Sequence, residues 1–276
     1  MLVATQNRNY EIGSLLLDKG ANPNLANKGG WTPLYVAVDN RNIEAGDYPV
    51  PKPDLDHFDY IKRLLAHSAD KSVNAQMKEP TERRTVRTRV PGSEVGKTAF
   101  LRAVESSDLA VMRLLLANGA DPLMTTKFHV DALQLASGLN WKEGMSYEWS
   151  EQANVEAVKL LLDMGFDPNA QADNGRTALH GAAMKGRTAV IQLLVDAGAK
   201  LDTRDYGMSR YANGRLTEHS WQPVDYTDGM VTIDGQTLTV RPEAGLLLRK
   251  LMKEAGLYVP APNRTLETVC ITAVCK

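Results

Sequence analysis

Apolar residues along this chain gather into short leucine-rich stretches, and five of them end alike, running into Gly or Ser and then a small acidic or amide turn. The copies are LLLDKGANPN from Leu15, LLAHSAD from Leu64, LLLANGADP from Leu114, LLLDMGFDPN from Leu160 and LLVDAGAKLD from Leu193. A sixth and weaker copy, LMKEAGLYVP, starts at Leu251. A helix that ends at Gly suits a left-handed C-cap, and the Asn, Asp and Pro that follow suit a tight turn. Self-similarity at a period of a few tens of residues predicts a solenoid, whose units stack because none can bury its apolar face alone.

Ahead of every leucine stretch but the first lies a second recurring element. It reads WTPLYVA at Trp31 to Ala37, KTAFLRA at Lys97 to Ala103, DALQLA at Asp131 to Ala136, TALHGAA at Thr177 to Ala183 and WQPVDY at Trp221 to Tyr226. Thr32 can cap a helix start with its hydroxyl, and Pro33 suits the first helical position, where its missing N–H costs nothing. Leu34 and Ala37 then share one helical face. Each unit therefore reads as helix, short turn, helix and hairpin-like loop. With Gly165 and Gly198 33 residues apart, the pattern resembles the ankyrin repeat and its T-P-L-H-x-A opening. The resemblance covers the chain to about residue 260 and implies a mainly all-α fold: an ankyrin-repeat α-solenoid of about six repeats with hairpin-like loops and one small β-hairpin in the last. The expected repeats are about 1–28, 29–75, 96–125, 128–172, 173–205 and 219–260, with a tail at 261–276.

The spacing departs from the ideal. The Gly or Ser positions that close the six stretches stand 48, 51, 46, 33 and 58 residues apart, so four intervals carry extra sequence. Insertions at 42–58, 141–150 and 228–241 fall between the two helices of a repeat, and those at 76–95 and 206–220 fall between repeats. Within 228–241, VTIDGQTLTV alternates branched and polar residues around Asp234-Gly235, which predicts a hairpin able to cap the stack. The insertions at 42–58 and 141–150 are acidic and aromatic, with Tyr48, Phe58, Trp141, Tyr147 and Trp149. Exposed Trp and Tyr anchor interfaces, but Trp141 and Trp149 could equally fold back over the helices. The loop ERRTVRTRV places Arg83, Arg84, Arg87 and Arg89 in a β-prone finger that is either a solvated loop or an offer of guanidinium groups to carboxylates or phosphates.

Composition narrows the classes further. The 276 residues carry 32 Lys and Arg against 33 Asp and Glu, which gives no global reason to expect nucleic acid. No apolar run reaches the ~18 residues of a membrane helix. The five histidines are scattered without an H-E-x-x-H pattern, and no nucleophile motif or phosphate-binding glycine loop occurs. No catalytic residue, cofactor or metal is therefore expected. The sharpest alternative is a metal-dependent sensor or enzyme around His57, beside Asp54, Asp56 and Asp59, although DLDHFD lacks calcium-loop spacing. The two cysteines, Cys270 and Cys275, match no zinc or haem motif and read as a disulfide or as two free thiols. Leu2, Val3 and Ala4 sit at the apolar positions of a helix lacking its opening turn, so the chain reads as part of a longer multidomain one.

What the resemblance implies is a non-catalytic scaffold or regulator that binds another protein through its concave surface. The residue before each T-P-L-H element would form a ladder there: Trp31, Lys97, Val130, Arg176 and Trp221. Exposed positions on the first helices would add Asp39, Asn40, Glu105, Ser106, Met184 and Lys185, and Arg83, Arg84 and Arg87 would add an edge. A nucleic-acid or anionic-polymer binder using Arg83 to Arg89 and Lys97 is the other class. The wording TALHGAAMKGRTAVIQLLVDAGAKLD resembles bacterial members of the family, some of them exported, which implies periplasm or cytoplasm.

Overall fold

The computed structural model describes residues 1–43, 52–68, 73–78, 95–141, 147–212, 215–229, 232–233, 236–237 and 239–262. Their helices come in pairs: α1 (Leu2–Gln6) with α2 (Tyr10–Asp18), α3 (Pro33–Asn42) with α4 (His57–His67), and α5 (Ala99–Glu105) with α6 (Leu109–Ala117). Next come α7 (Ala132–Ser137) with α8 (Glu151–Asp163), and α9 (Ala178–Lys185) with α10 (Thr188–Asp196). A 3-10 helix, Pro223–Thr227, and α11 (Pro242–Glu254) complete the order. The chain divides into two compact units, residues 1–127 with 141–157, and residues 128–140 with 158–276.

The local starts and stops follow from single residues. Thr32 and Thr98 cap α3 and α5, their hydroxyls accepting from Tyr35 N and Leu101 N at 3.2 Å. Asp131 does the same for α7, and Gln134 reaches back to Asp131 N at 2.9 Å, a reciprocal capping box. At the far ends of α2, α6 and α10, Gly20, Gly119 and Gly198 take φ of 82°, 85° and 91°, which a side chain would oppose.

Packing within each unit is repeat on repeat. In the first unit, Trp31, Tyr35, Val36 and Met77 form a buried cluster against which Leu2 of α1 packs. In α2, Gly13 lets Tyr60 of α4 come so near that a Cβ would fall 2.2 Å from the phenol oxygen. That oxygen also shares a hydrogen bond with Thr5 of α1 at 2.8 Å. In the second unit, Gly181 of α9 sits against the end of α7, where a Cβ would stand 2.7 Å from Leu139 N. The loops between repeats are laced in the same direction. Asn74 bridges to the next loop through Gly119 O and Asp121 N, and Asn169 bridges through Gly198 O and Lys200 N.

Two short hairpins stand out from the helices. The expected one pairs β3 (Thr232–Ile233) with β4 (Gln236–Thr237). The other pairs β1 (Met208–Ala212) with β2 (Arg215–His219), antiparallel, inside what the sequence reads as a plain loop. Its signal was Asn213-Gly214, the residue pair that two-residue hairpin turns favour. Among the described residues, no helix is long and apolar enough to cross a membrane.

The close approach of α9 to α7 makes a sharp prediction. Gly181→Ala forces its methyl into backbone rather than into a yielding side chain, so the second unit should lose about 1–3 kcal/mol in urea unfolding. Ala182→Gly, a change in the same helix without a clash, should lose about 1 kcal/mol or less.

Candidate functional site

The ladder expected to be exposed is largely buried, and this corrects the sequence reading. Trp31 is 2% exposed, Lys97 1%, Val130 4% and Trp221 4%, and on the first helices Asp39 and Asn40 are each 4%, Glu105 1%, Ser106 0% and Lys185 5%. Arg176 and Met184 alone among the described members keep partial access. The physical reason is that these side chains complete contacts within a repeat or with its neighbour. Trp31 stacks edge-on against Tyr35, with ring centroids 4.8 Å apart. Asn40 donates to Thr5 O at 2.7 Å, and the stem of Lys185 covers Gly138. Arg83, Arg84, Arg87 and Arg89, like Cys270 and Cys275, lie outside the described residues.

At the centre of the first unit is a buried ionic cluster that sequence reasoning missed. Arg102 of α5, fully buried, donates through Nε to Asp39 at 2.7 Å, through Nη1 to Ser106 Oγ at 2.8 Å and through Nη2 to Asn42 O at 2.5 Å. Lys97 Nζ meets Glu105 Oε2 at 2.8 Å, and Glu105 stands 3.6 Å from Arg102. Two cations and two carboxylates therefore neutralise one another. Burial opposes the charge on Arg102, but Asp39 and Glu105 outweigh it and raise its pKa. The detectable signal was register: counted from the capping Thr or Asp, Arg102 holds the position of Val36, Leu135 and Gly181. A charge at a core position needs a buried partner.

The described end of the insertion, residues 147–150, lies against the end of this cluster. Tyr147 N donates to Asn42 O at 3.1 Å and Trp149 N to Ser106 O at 3.4 Å. The Trp149 indole N–H donates to Asn42 Oδ1 at 2.9 Å, and Arg41 lies 4.3 Å from the Trp149 ring and 5.5 Å from Phe58. Arg41 is itself fixed by Asp108 at 2.8 Å. Tyr147 meets Trp149 edge-on at 5.5 Å. Although so anchored, Tyr147 remains 42% and Trp149 39% exposed.

The second unit has its own buried polar centre. Asp205 accepts from Trp221 N at 2.8 Å, from Gly207 N at 3.1 Å and from the Tyr226 hydroxyl, which in turn accepts from Arg176 Nε at 2.7 Å. Burial pushes the Tyr226 phenol well above its ordinary range. His180 Nδ1 accepts from Thr177 N at 3.0 Å, so Nε2 carries the proton and donates to Trp221 O at 3.2 Å. Burial lowers the His180 pKa to about 4. Gln134 performs the same task in α7, donating to Ala170 O at 2.8 Å and Arg176 O at 3.2 Å.

These features decide the family. A model described as ankyrin repeats (many copies) matches residues 1–46 and 150–207. These stretches carry ankyrin repeats. It is similar to the human transient receptor potential cation channel subfamily A member 1, 27% identical over 72% of this chain and 14% of the channel subunit. It is also similar to the mouse B-cell lymphoma 3 protein homolog, 25% over 67% of this chain and 32% of that protein. The putative ankyrin repeat protein FPV022 of fowlpox virus is 23% identical over 71% of this chain and 35% of its own length. The chain thus spans about a third or less of these relatives, and a channel subunit, a mouse protein and a poxvirus protein lend no support to a bacterial style.

The carboxylates around His57 are engaged at the starts of helices. Asp54 accepts from Tyr10 N and Glu11 N at the start of α2, and Asp56 accepts from Phe58 N and Asp59 N at the start of α4. Asp59 pairs with Lys62 at 3.1 Å. His57 packs edge-on against Tyr10, and burial, aided by Arg8 and Arg41, lowers its pKa to about 4. Among the described residues, no three His, Cys, Asp or Glu side chains gather as metal ligands.

Two predictions follow from the buried groups. Asp39→Ala leaves Arg102 short of a carboxylate and should cost about 3–5 kcal/mol of stability in urea unfolding. His180 is held neutral in the fold, so its stabilisation is complete above pH 6.5 and is lost as pH falls towards 4. His180→Gln, which copies Gln134, should therefore lose about 3 kcal/mol less than the wild type between pH 7 and pH 4. Asp131, raised by burial to about 6, works in the opposite direction in both proteins and cancels from the comparison.

Proposed function

We propose that this chain is a non-catalytic protein-binding module whose contact surface in the first unit is the strap formed by Tyr147 and Trp149. Ankyrin repeats generally mediate contacts between proteins. The relatives include a cation channel subunit and a B-cell lymphoma protein homolog, so the matched part is common to proteins of different kinds. That argues for a recognition element rather than a shared reaction.

The observation that carries the reading is an aromatic pair both exposed and immobilised. Trp149 is held at its backbone, its indole N–H and its ring face, so little rotamer freedom remains to be lost when a partner covers it. Trp and Tyr are the residue types enriched at interface hot spots. The buried ladder supports this choice by default, because Trp31, Lys97 and Trp221 are already buried in the fold. Lys97 is likewise committed to Glu105 and offers no charge to an anionic polymer.

Affinity capture from a lysate tests it, comparing the wild type with Tyr147→Ser and with Met184→Ala. Tyr147→Ser removes an exposed ring without touching the bonds that anchor Trp149, and should weaken capture at least about tenfold. Met184→Ala, at the old concave position, should leave capture unchanged. Capture that survives Tyr147→Ser, or that is lost with Met184→Ala instead, overturns the assignment.

A further inference from the structure

Arg176 in the second unit holds the place that Lys97 holds in the first, one residue ahead of the Thr that starts the helix. Eight residues further on, the Lys97 repeat has Glu105 and the Arg176 repeat has Met184. In the first unit these two places form a buried ion pair, with Lys97 Nζ 2.8 Å from Glu105 Oε2. The second unit keeps the cation and puts a thioether where the acid would be.

The Arg176 guanidinium is anchored through one nitrogen. Its Nε donates to the Tyr226 hydroxyl at 2.7 Å and lies 3.6 Å from Asp205. That carboxylate is itself engaged by Trp221 N, Gly207 N and the Tyr226 hydroxyl. Among the described residues, the two terminal nitrogens of Arg176 donate to no protein group, and its side chain keeps 13% exposure.

A guanidinium so held still offers a planar fork, the arrangement that grips a carboxylate through parallel N–H bonds. Tyr226 and Asp205 fix the fork before any ligand arrives, so little freedom remains to be lost on binding. The surroundings favour an anion as well. Arg241 covers Gly186 and brings its Nε to 3.4 Å from Met184 O, which adds a second cation beside the position that Glu105 occupies in the other repeat. Met184 is half-buried, and its unbranched side chain can adapt to the aliphatic stem of an acidic residue.

We infer that Arg176 and Met184 form a binding site for a carboxylate carried by an acidic peptide, which takes towards Arg176 the part that Glu105 takes towards Lys97. The site lies in the second unit and does not rest on the strap of the first. One ion-paired contact is weak at a partly exposed site, so titration reads it where capture from a lysate would not.

The test adds acetyl-Ala-Glu-Ala amide to the full chain and follows the Arg176 Nε–H and Met184 amide signals by NMR. Both should shift saturably, and the same peptide with Gln in place of Glu should bind at least about tenfold more weakly. Met184→Glu supplies the acid from within and should abolish the shifts, whereas Met184→Gln, similar in size and uncharged, should keep them. The comparison of the two peptides needs no variant and stands even where a substitution disturbs the fold. Absence of shifts, equal binding of the Gln peptide, or undiminished binding by Met184→Glu overturns the inference. So does tighter binding of inorganic phosphate than of the Glu peptide, because the fork would then serve a different anion.

Discussion

A single helix pair of this chain cannot satisfy itself. Its first helix is five to ten residues long, too short to be stable alone. Stability therefore comes from side chains that cross from one repeat to the next. Gln134 and His180 do so by donating to loop carbonyls, Tyr60 by filling the space that Gly13 leaves, and Arg102 by drawing a charge to Asp39 and a carbonyl at once. The same job is thus done by an amide, an imidazole, a phenol and a guanidinium. Gln134 and His180 share one position in the repeat, whereas Arg102 stands one residue further along its first helix and Tyr60 on a second helix, so neither the residue type nor the position is fixed.

The reach of each contact explains which parts of the molecule could be read from the sequence. Capping residues and closing glycines act locally, so Thr32, Thr98, Asp131 and the Gly ends announced their helices directly. Burial of charge does not act locally. Asp39, Asn40, Glu105 and Lys185 are polar residues on short helices and read as solvent-facing, whereas the partners of Asp39, Asn40 and Lys185 lie one repeat away and that of Glu105 is Lys97, just ahead of the same helix. Arg102 was the clue, a cation standing in an apolar register. The β1–β2 hairpin was legible too, in Asn213-Gly214, but the pattern of repeats drew it as a loop.

The insertions follow a related logic. Extra chain between the helices of a repeat is tolerated because the two helices keep their own neighbours, and closing a longer loop costs little more than closing a shorter one. In the insertion between α7 and α8 that freedom is spent on a return path. The backbone of Tyr147 and Trp149 bonds to the ends of α3 and α5, and Arg41 is clasped between Trp149, Phe58 and Asp108. Aromatic rings at the surface of the first unit are therefore held by the same residues that terminate its helices.

The strap also sets an order on assembly. Most contacts in a repeat array join near neighbours in sequence and can form quickly, one pair upon the last. Trp149 and Asn42 are separated by 107 residues, and neither has its partner until α3 and α5 are in place side by side. The strap can therefore lock only after the second and third repeats have folded, and it releases if either of them opens. Among the described residues, this bond adds a long-range latch to a series of more local steps and couples the opening of separate repeats.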